Sequence, residues 1–315
     1  MCPLKPSLGA FLICVFCLSA AGAVRAQEAS EREGEQIKAD IDRDKIDEAA
    51  TAARAAVARY PRSPDLQQLL GVCLFKQGLN HEARDAFNRA LELDPANPQS
   101  HFDLALVELA EHNYAGAAKA LEACLRFDPG NAEAHLLLGR AYHNQNQTFP
   151  AIEQFRRALA LNPTLPLGHY HLGFAYQSLG NLTSALEEYH REIGDNPEFP
   201  NAYWLAGDIE FESGNVDSAE KLFREVIKLK PQAYQGHFGL ARVCMTRRDF
   251  AEAEAEISSA LRIQPGDVEI HYALARLYQE TGRKDAAAHE FDVCAALRAQ
   301  GQKKVSGIAG AAQLP

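Results

Sequence analysis

Five histidines recur at a fixed spacing and are the residues of this sequence that most readily suggest chemistry. They are His101, His135, His169, His237 and His271. Zinc binds imidazole nitrogens at about 2 Å, whereas equivalent positions on stacked helices lie about 8 to 10 Å apart. One metal ion therefore cannot bind several members of this column. We expect the histidines to have a packing role, with a pH-sensitive contact as the alternative.

Patterns typical of catalysis are missing from the rest of the sequence. After residue 26 it contains no glycine-rich phosphate loop, no G-x-S-x-G and no H-E-x-x-H motif. Ser218 and Lys221 match the nucleophile pattern S-x-x-K, but the companion motifs of that pattern are absent, so a chance match explains it better. The sequence therefore predicts that the chain is not an enzyme, and it predicts no cofactor and no metal.

Composition narrows the class of protein further. The 315 residues are 47% hydrophobic, which favours a folded chain, and 42 acidic residues against 32 basic ones give a formal charge of -10. An acidic chain is a poor nucleic-acid binder, because such binding needs a positive surface against the phosphates. A single packed core reaches its limit at about 250 to 300 residues. The chain should therefore form two domains or grow by repetition.

A period of 34 residues decides for repetition. It is carried by prolines at Pro95, Pro129, Pro163, Pro197, Pro231 and Pro265. With this proline as position 32, seven repeats fill residues 64–301, and positions 8 and 20 are always Gly or Ala. Small residues in these two columns let two helices, A and B, cross closely. Gly or Asn at position 15 suits the end of helix A, and the proline stops helix B.

The flanking segments give the remaining domain boundaries. Residues 27–63 fit a divergent N-terminal capping repeat, since Ala49 and Pro61 match positions 20 and 32 but Ile37 stands where Gly or Ala belongs. Residues 302–315 are predicted to be a flexible C-terminal tail.

Other columns link this period to a known family. Leucine dominates position 7, Tyr142, Tyr176 and Tyr278 occupy position 11, and Phe or Tyr dominates position 24. With these columns the chain resembles the tetratricopeptide repeat (TPR) family. The resemblance implies an all-α fold, an α-solenoid in which 34-residue helical hairpins stack into a right-handed superhelix. It also implies that the partner is another protein, bound as a peptide or helix in a concave groove.

The resemblance also implies which residues line that groove, namely those at positions 2, 5, 9, 12 and 13 of helix A. The apolar candidates are Phe102, Leu136, Tyr170, Phe174, Trp204, Phe211, Phe238 and Tyr272, and the charged ones are Arg140, Arg242 and Arg276. An arginine beside an aromatic ring suits a peptide that offers an apolar side chain and a carboxylate. The alternative is that the aromatic residues at position 5 pack against their own solenoid.

One residue departs from its column. Glu192 occupies position 27, which is Ala, Cys or Val in the other repeats. We expect its carboxylate to tilt towards solvent, with a bond to Tyr203 across the repeat boundary as the alternative.

Residues 1–26 have the pattern of a secretory signal. A charged start precedes the apolar run Leu8–Val24, and small residues follow it. The sequence therefore predicts export to the periplasm or secretion, and the alternative is that residues 8–24 anchor the chain in a membrane.

Together these features predict an exported scaffold that binds a segment of another protein. Two alternatives stay open: a structural protein that forms homo-oligomers through its last, uncapped repeat, and a regulatory subunit of a separate envelope enzyme.

Overall fold

The computed structural model describes residues 27–311, with side chains described over 27–300, and within that part every regular element is an α-helix. Sixteen helices follow one another, the first over 27–42 (α1). The others are α2 (Ile46–Arg59), α3 (Pro64–Lys76), α4 (Asn80–Leu93), α5 (Pro98–Ala110), α6 (Tyr114–Phe127), α7 (Ala132–Asn144), α8 (Thr148–Leu161), α9 (Gly168–Ser178), α10 (Leu182–Asp195), α11 (Pro200–Glu212), α12 (Val216–Leu229), α13 (Tyr234–Arg247), α14 (Phe250–Ile263), α15 (Val268–Glu280) and α16 (Lys284–Ala311). The predicted all-α class is confirmed.

The helices pair into hairpins, one for each repeat. The chain divides into two compact units, Met1–Pro163 and Thr164–Pro315, and the described part of each contains four hairpins. In the first unit α3 packs against α4, α5 against α6 and α7 against α8, and each hairpin also contacts the next one. The second unit follows the same scheme from α9 to α16.

The end of helix A has the same backbone conformation in all eight repeats. Position 15 has a positive φ in every one: Asp44, Gly78, His112, Asn146, Gly180, Gly214, Arg248 and Gly282. A residue in the left-handed region ends a helix by turning the chain away from its axis. Glycine or asparagine predicted this turn in five repeats, and aspartate, histidine or arginine adopts the same conformation in the other three.

Glycine at position 8 faces an aromatic ring at position 24. A Cβ at Gly71, Gly139, Gly173 or Gly207 would lie 2.5 to 2.9 Å from the ring of Phe87, Phe155, Tyr189 or Phe223. In the repeat at 98–131 the pair is Ala105 and Leu121, both fully buried. The volumes of the two columns therefore compensate, and the predicted helix crossing is confirmed.

The histidine column joins consecutive repeats. Nε2 of His101, His237 and His271 donates to the carbonyl oxygens of Pro95, Pro231 and Pro265 at 3.0, 3.2 and 3.0 Å. In the repeat that has tyrosine at position 4, the Tyr203 hydroxyl donates to the Pro197 carbonyl at 3.1 Å. These carbonyls belong to the prolines that follow helix B, where backbone acceptors lack intrahelical partners. The column thus has the packing role that we expected.

The second ring nitrogen of two of these histidines meets a carboxylate. Nδ1 of His237 lies 2.6 Å from Glu256 Oε2, and Nδ1 of His271 lies 2.6 Å from Glu290 Oε2. Position 4 of helix A therefore also bonds helix B of its own repeat.

The segments that flank the seven repeats are both helical where the structure describes them. Helices α1 and α2 form a hairpin with Ile37 buried at its core. Helix α16 continues to Ala311, so residues 302–311 are helical where the sequence predicted a flexible tail. The physical reason is that Ala299 stands at position 32, where the other repeats have the proline that stops helix B. The predicted signal at 1–26 and residues 312–315 lie outside the described residues.

Two further features concern the described helices and their thiols. None of these helices combines the length and hydropathy that crossing a lipid bilayer requires. Cys73, Cys124, Cys244 and Cys294 are buried free thiols. Burial raises the pKa of the first three to about 11, which keeps them protonated and weakly nucleophilic near neutral pH.

The pairing of positions 8 and 24 can be tested in one hairpin. We expect Gly139→Ala to lower the free energy of unfolding by about 1 to 3 kcal/mol, because the new methyl group overlaps the Phe155 ring. The double variant Gly139→Ala, Phe155→Leu reproduces the natural Ala105 and Leu121 pair and should recover part of that loss. Denaturation followed by circular dichroism measures all three variants, and strictly additive effects would contradict the pairing.

Substitution of two glycines with open surroundings distinguishes the effect of backbone strain on stability from the effect of helix propensity. Nothing lies within 4 Å of a Cβ built at Gly214 or Gly194, but Gly214 has a φ of +84° and Gly194 lies inside α10. Gly214→Ala should cost about 1 to 2 kcal/mol, because a left-handed backbone strains any Cβ. Gly194→Ala should stabilise by up to about 1 kcal/mol. Thermal unfolding of both variants is the measurement, and shifts of the same sign would refute the explanation.

Candidate functional site

A groove of about 520 Å³ lies in the second unit, where α11, α13 and α15 present one face each. Four aromatic residues line it: Trp204, Tyr234, Phe238 and Tyr272. Trp204, Phe238 and Tyr272 occupy position 5 of consecutive repeats, so the 34-residue period places their rings side by side. The groove therefore follows directly from the repeat.

Each of these rings divides its surface between the core and the groove. Trp204, Tyr234 and Phe238 pack against the core of the second unit and stay partly exposed. Tyr272 is 45% exposed and meets Phe291 of α16 edge-on, with the ring centroids 5.9 Å apart. The aromatic surface is thus held in place from behind and open in front.

Charged side chains surround the aromatic rings, with acids in excess. Asp208, Glu212, Asp267 and Glu269 line the groove against only two arginines, Arg242 and Arg298. Asp267 also accepts from the backbone N–H groups of Glu269 and Ile270, so it caps α15. Burial and, after it, the charges of Asp267 and Glu269 raise the pKa of the Tyr234 hydroxyl. The electrostatic potential at this end of the groove is therefore negative.

The arginine at the centre of the groove is already paired. Arg242 donates to Asp208, and its guanidinium carbon lies 4.4 Å from the centroid of the Phe211 ring. Both partners come from α11, so this contact joins two adjacent repeats. Arg242 is thus paired with a carboxylate of its own chain. The sequence pattern alone predicts that a ligand supplies that carboxylate.

The other two predicted arginines take no part in this contact. Arg276 is exposed with Glu280 3.9 Å away, and it does not line the groove. Arg140 is exposed on α7 in the first unit. The structure therefore brings only Arg242 of the three together with the predicted aromatic residues.

The apolar stripe predicted over six repeats is buried in two of them. Phe102 and Leu136 in the first unit are 8% and 7% exposed, so little of either side chain is open to a ligand. Leu106 and Leu109 pack against the core cluster that contains Phe102. In the second unit Asp208 and Arg242 at position 9 line the groove themselves.

Tyr170 and Phe174 belong to a separate aromatic cluster. Their rings stack with centroids 6.4 Å apart, and the Tyr170 ring meets Phe199 edge-on at 5.0 Å and lies 6.2 Å from Tyr189. Tyr170 is half-buried while Phe174 is 41% exposed. These two residues therefore form an aromatic surface of their own and do not line the groove.

Glu192 takes neither of the two orientations that the sequence suggested. It is 2% exposed, and its Oε2 accepts from the backbone N–H of Tyr170 at 3.1 Å. Helix α9 begins after Leu167, which is left-handed and offers no side-chain cap. The carboxylate from α10 therefore takes the place of the missing cap within the same repeat.

Sequence reasoning missed several residues of the groove. Glu212 and Glu269 occupy positions 13 and 2, both within the set of groove positions, so reading the charges of these columns would have found them. Tyr234 lies at position 1, where four of the other repeats have proline, and nothing in the period indicates that it reaches the groove.

The comparison with family models now decides the family. Tetratricopeptide repeat models match residues 35–98, 102–166, 170–234 and 211–268, and another of the same description matches 245–301. The chain belongs to the tetratricopeptide repeat family. The TPR match begins within the segment that we predicted as a divergent first repeat.

Several solved structures resemble this TPR protein. MamA is 28% identical with a TM-score of 0.50, over 52% of this chain and 95% of MamA. The Pseudomonas aeruginosa protein PilF is 20% identical with a TM-score of 0.59, over 70% of this chain and 97% of PilF. YrrB, described as a TPR protein with an unusual peptide-binding site, is 20% identical with a TM-score of 0.52, over 59% of this chain and 96% of YrrB. At this identity the last two show a shared fold only.

One curated relative matches a shorter stretch. The CTR9 homolog of Arabidopsis thaliana is 28% identical over 88 residues, which are 28% of this chain and 8% of that protein. The chain thus spans less than a tenth of the length of this relative.

The role of Glu192 as a substitute cap can be tested by its removal. We expect Glu192→Ala to lower the free energy of unfolding by about 1 to 3 kcal/mol, because the buried Tyr170 N–H loses its acceptor. Glu187→Ala, at an exposed position of the same helix, should change it by less than about 0.5 kcal/mol. Denaturation of both variants is the measurement, and an unchanged or more stable Glu192→Ala protein would refute the capping role.

Proposed function

We propose that this TPR protein is an exported scaffold that binds a peptide or helical segment of another protein in the groove of its second unit. The observation that carries the proposal is the row of half-exposed rings Trp204, Phe238 and Tyr272, on three consecutive repeats around one groove. An apolar row left open to water is a liability unless a ligand covers it. Solenoid repeats commonly use such extended surfaces for binding.

The family supports the general class of function. TPR proteins bind other proteins or peptides, and YrrB is described by its peptide-binding site. The groove has the shape that such a ligand needs, because it is open along the row of rings. We therefore propose a protein segment, and not a small molecule, as the ligand.

The affinity that this surface supports is moderate. Three anchors of about 1.5 to 3 kcal/mol each contribute about 5 to 9 kcal/mol before a flexible peptide is ordered. Trp204 and Phe238 are already packed in part against the core, which lowers the gain further. We expect dissociation constants in the micromolar range.

Export and the absence of catalysis belong to the same proposal. Support for export comes from the charged start and the apolar run Leu8–Val24 of the sequence. Support for a binding role without catalysis of its own is that repeats account for residues 64–301 and that the sequence has no nucleophile–base motif set. A regulatory subunit of an envelope enzyme would use the same groove and differ only in its partner.

Trp204 makes the groove directly observable, because it is the only tryptophan of the chain. We propose to select ligands from a random peptide library displayed on phage, using residues 27–315, and to titrate the selected peptides while recording Trp204 fluorescence. Tyr272→Ala and Phe238→Ala should each weaken binding about 5- to 30-fold, the usual range for an aromatic anchor.

The matched control is an exposed aromatic residue that does not line the groove. Phe149 is 75% exposed on α8 in the first unit, and Phe149→Ala should leave the affinity unchanged. Circular dichroism confirms that each variant is folded. Selection of no peptide, or of peptides that bind both groove variants as tightly as the wild type, would refute the groove as the binding site. An increase of the sedimenting mass of this protein with its concentration would instead favour self-assembly.

A further inference from the structure

The charges around the aromatic row are unbalanced in a way that selects a ligand. Of the four carboxylates that line the groove, Asp208 is paired with Arg242 and Asp267 caps α15. Glu212 and Glu269 are exposed, at opposite ends of the row of rings on α11 and α15. The second arginine that lines the groove is Arg298 from α16, and it is the lining arginine that does not pair with Asp208. The groove thus has a net charge of about -2 at neutral pH.

This balance reverses the ligand that the isolated sequence pattern suggests. An incoming carboxylate would have to displace Asp208 from Arg242 and would meet Glu212 and Glu269. An incoming Lys or Arg meets two exposed carboxylates and the faces of aromatic rings. Trp204 is the ring type that attracts cations most strongly.

We infer that the segment bound in this groove is basic, with lysine or arginine side chains alternating with apolar ones. The inference rests on the proposed function, since it specifies the ligand of the same groove. Apolar side chains of the segment cover Phe238 and Tyr272, while its cationic side chains pair with Glu212 and Glu269 and lie over the Trp204 ring.

The segment belongs to a different protein and not to a second copy of this chain. The chain has a formal charge of -10, so two copies repel each other, whereas the same charge attracts a basic partner over distances of the order of a Debye length, about 10 Å at 0.1 M salt. Steering of this kind raises the rate of association more than the final affinity.

The test compares three blocked peptides of equal length that differ only in charge. Each alternates Phe with one polar residue, which is Lys in the first, Gln in the second and Glu in the third. We expect the Lys peptide to bind with a change in Trp204 fluorescence, the Gln peptide to bind more weakly and the Glu peptide to bind weakest. Raising the ionic strength from about 0.05 to about 0.5 M should weaken the Lys peptide selectively, because surface charges are then screened.

Variants of this chain locate the effect. The double variant Glu212→Gln, Glu269→Gln should weaken the Lys peptide about three- to tenfold, the effect expected for two exposed ion pairs, and should leave the Gln peptide within about twofold. The control is Glu187→Gln, an exposed carboxylate on α10 that does not line the groove. It should not change the binding of either peptide.

The outcomes separate this inference from the function on which it rests. Equal binding of all three peptides, lost in Tyr272→Ala, would overturn the basic ligand and leave the apolar groove standing. Tighter binding of the Glu peptide would overturn the inference and restore Arg242 as a carboxylate receptor. Binding of no peptide here, together with failure of the library selection, would overturn both. Concentration-dependent dimers that the Lys peptide dissociates would make a second copy the occupant and also overturn the inference.

Discussion

The structure depends on the close crossing of the two helices in each hairpin. At position 8 of helix A a glycine lies against the ring at position 24 of helix B, with no room for a methyl group at Gly71, Gly139, Gly173 or Gly207. This contact fixes the distance between the helices and the rotation of helix A about its own axis. Since a residue at position 5 lies about one helical turn from position 8, the same rotation decides which side chains helix A presents away from its partner.

The crossing explains why so much of the fold could be predicted from the sequence. The 34-residue period, the residues that end the helices and the small residues at positions 8 and 20 are local properties. They recur in each repeat, so each repeat supports the same prediction independently. The structure confirms them at Gly139 opposite Phe155 and at the left-handed residues of position 15. Prediction failed where a single repeat departs from the period. Glu192 turns inward because Leu167 leaves α9 without a cap, and α16 continues because Ala299 replaces the stopping proline.

The candidate site could be predicted only in part, because exposure is not a property of one column. Position 5 carries an aromatic residue in both units, yet Phe102 is covered and Tyr272 is open. Position 9 alone does not decide this: Leu106 packs against the cluster that contains Phe102, but Leu136 is buried although position 9 of its repeat is the exposed Arg140. Tyr272 is also on the last helix A of the described chain, so a neighbouring repeat covers it from one side only. Burial of this kind is set by two or three columns together and by the place of the repeat in the stack.

The pairing of Arg242 shows that the period carries more information than single columns do. Asp208 and Arg242 both occupy position 9 of adjacent repeats, and residues at one position of adjacent repeats are neighbours in a solenoid. Considered alone, Arg242 is a cation that could bind an anionic ligand. Considered with the adjacent repeat, it is paired with Asp208, and the unpaired charges of the groove include those of Glu212 and Glu269. For a repeat protein the ligand is therefore better inferred from the sum of charges across neighbouring repeats than from the residue types in any one of them.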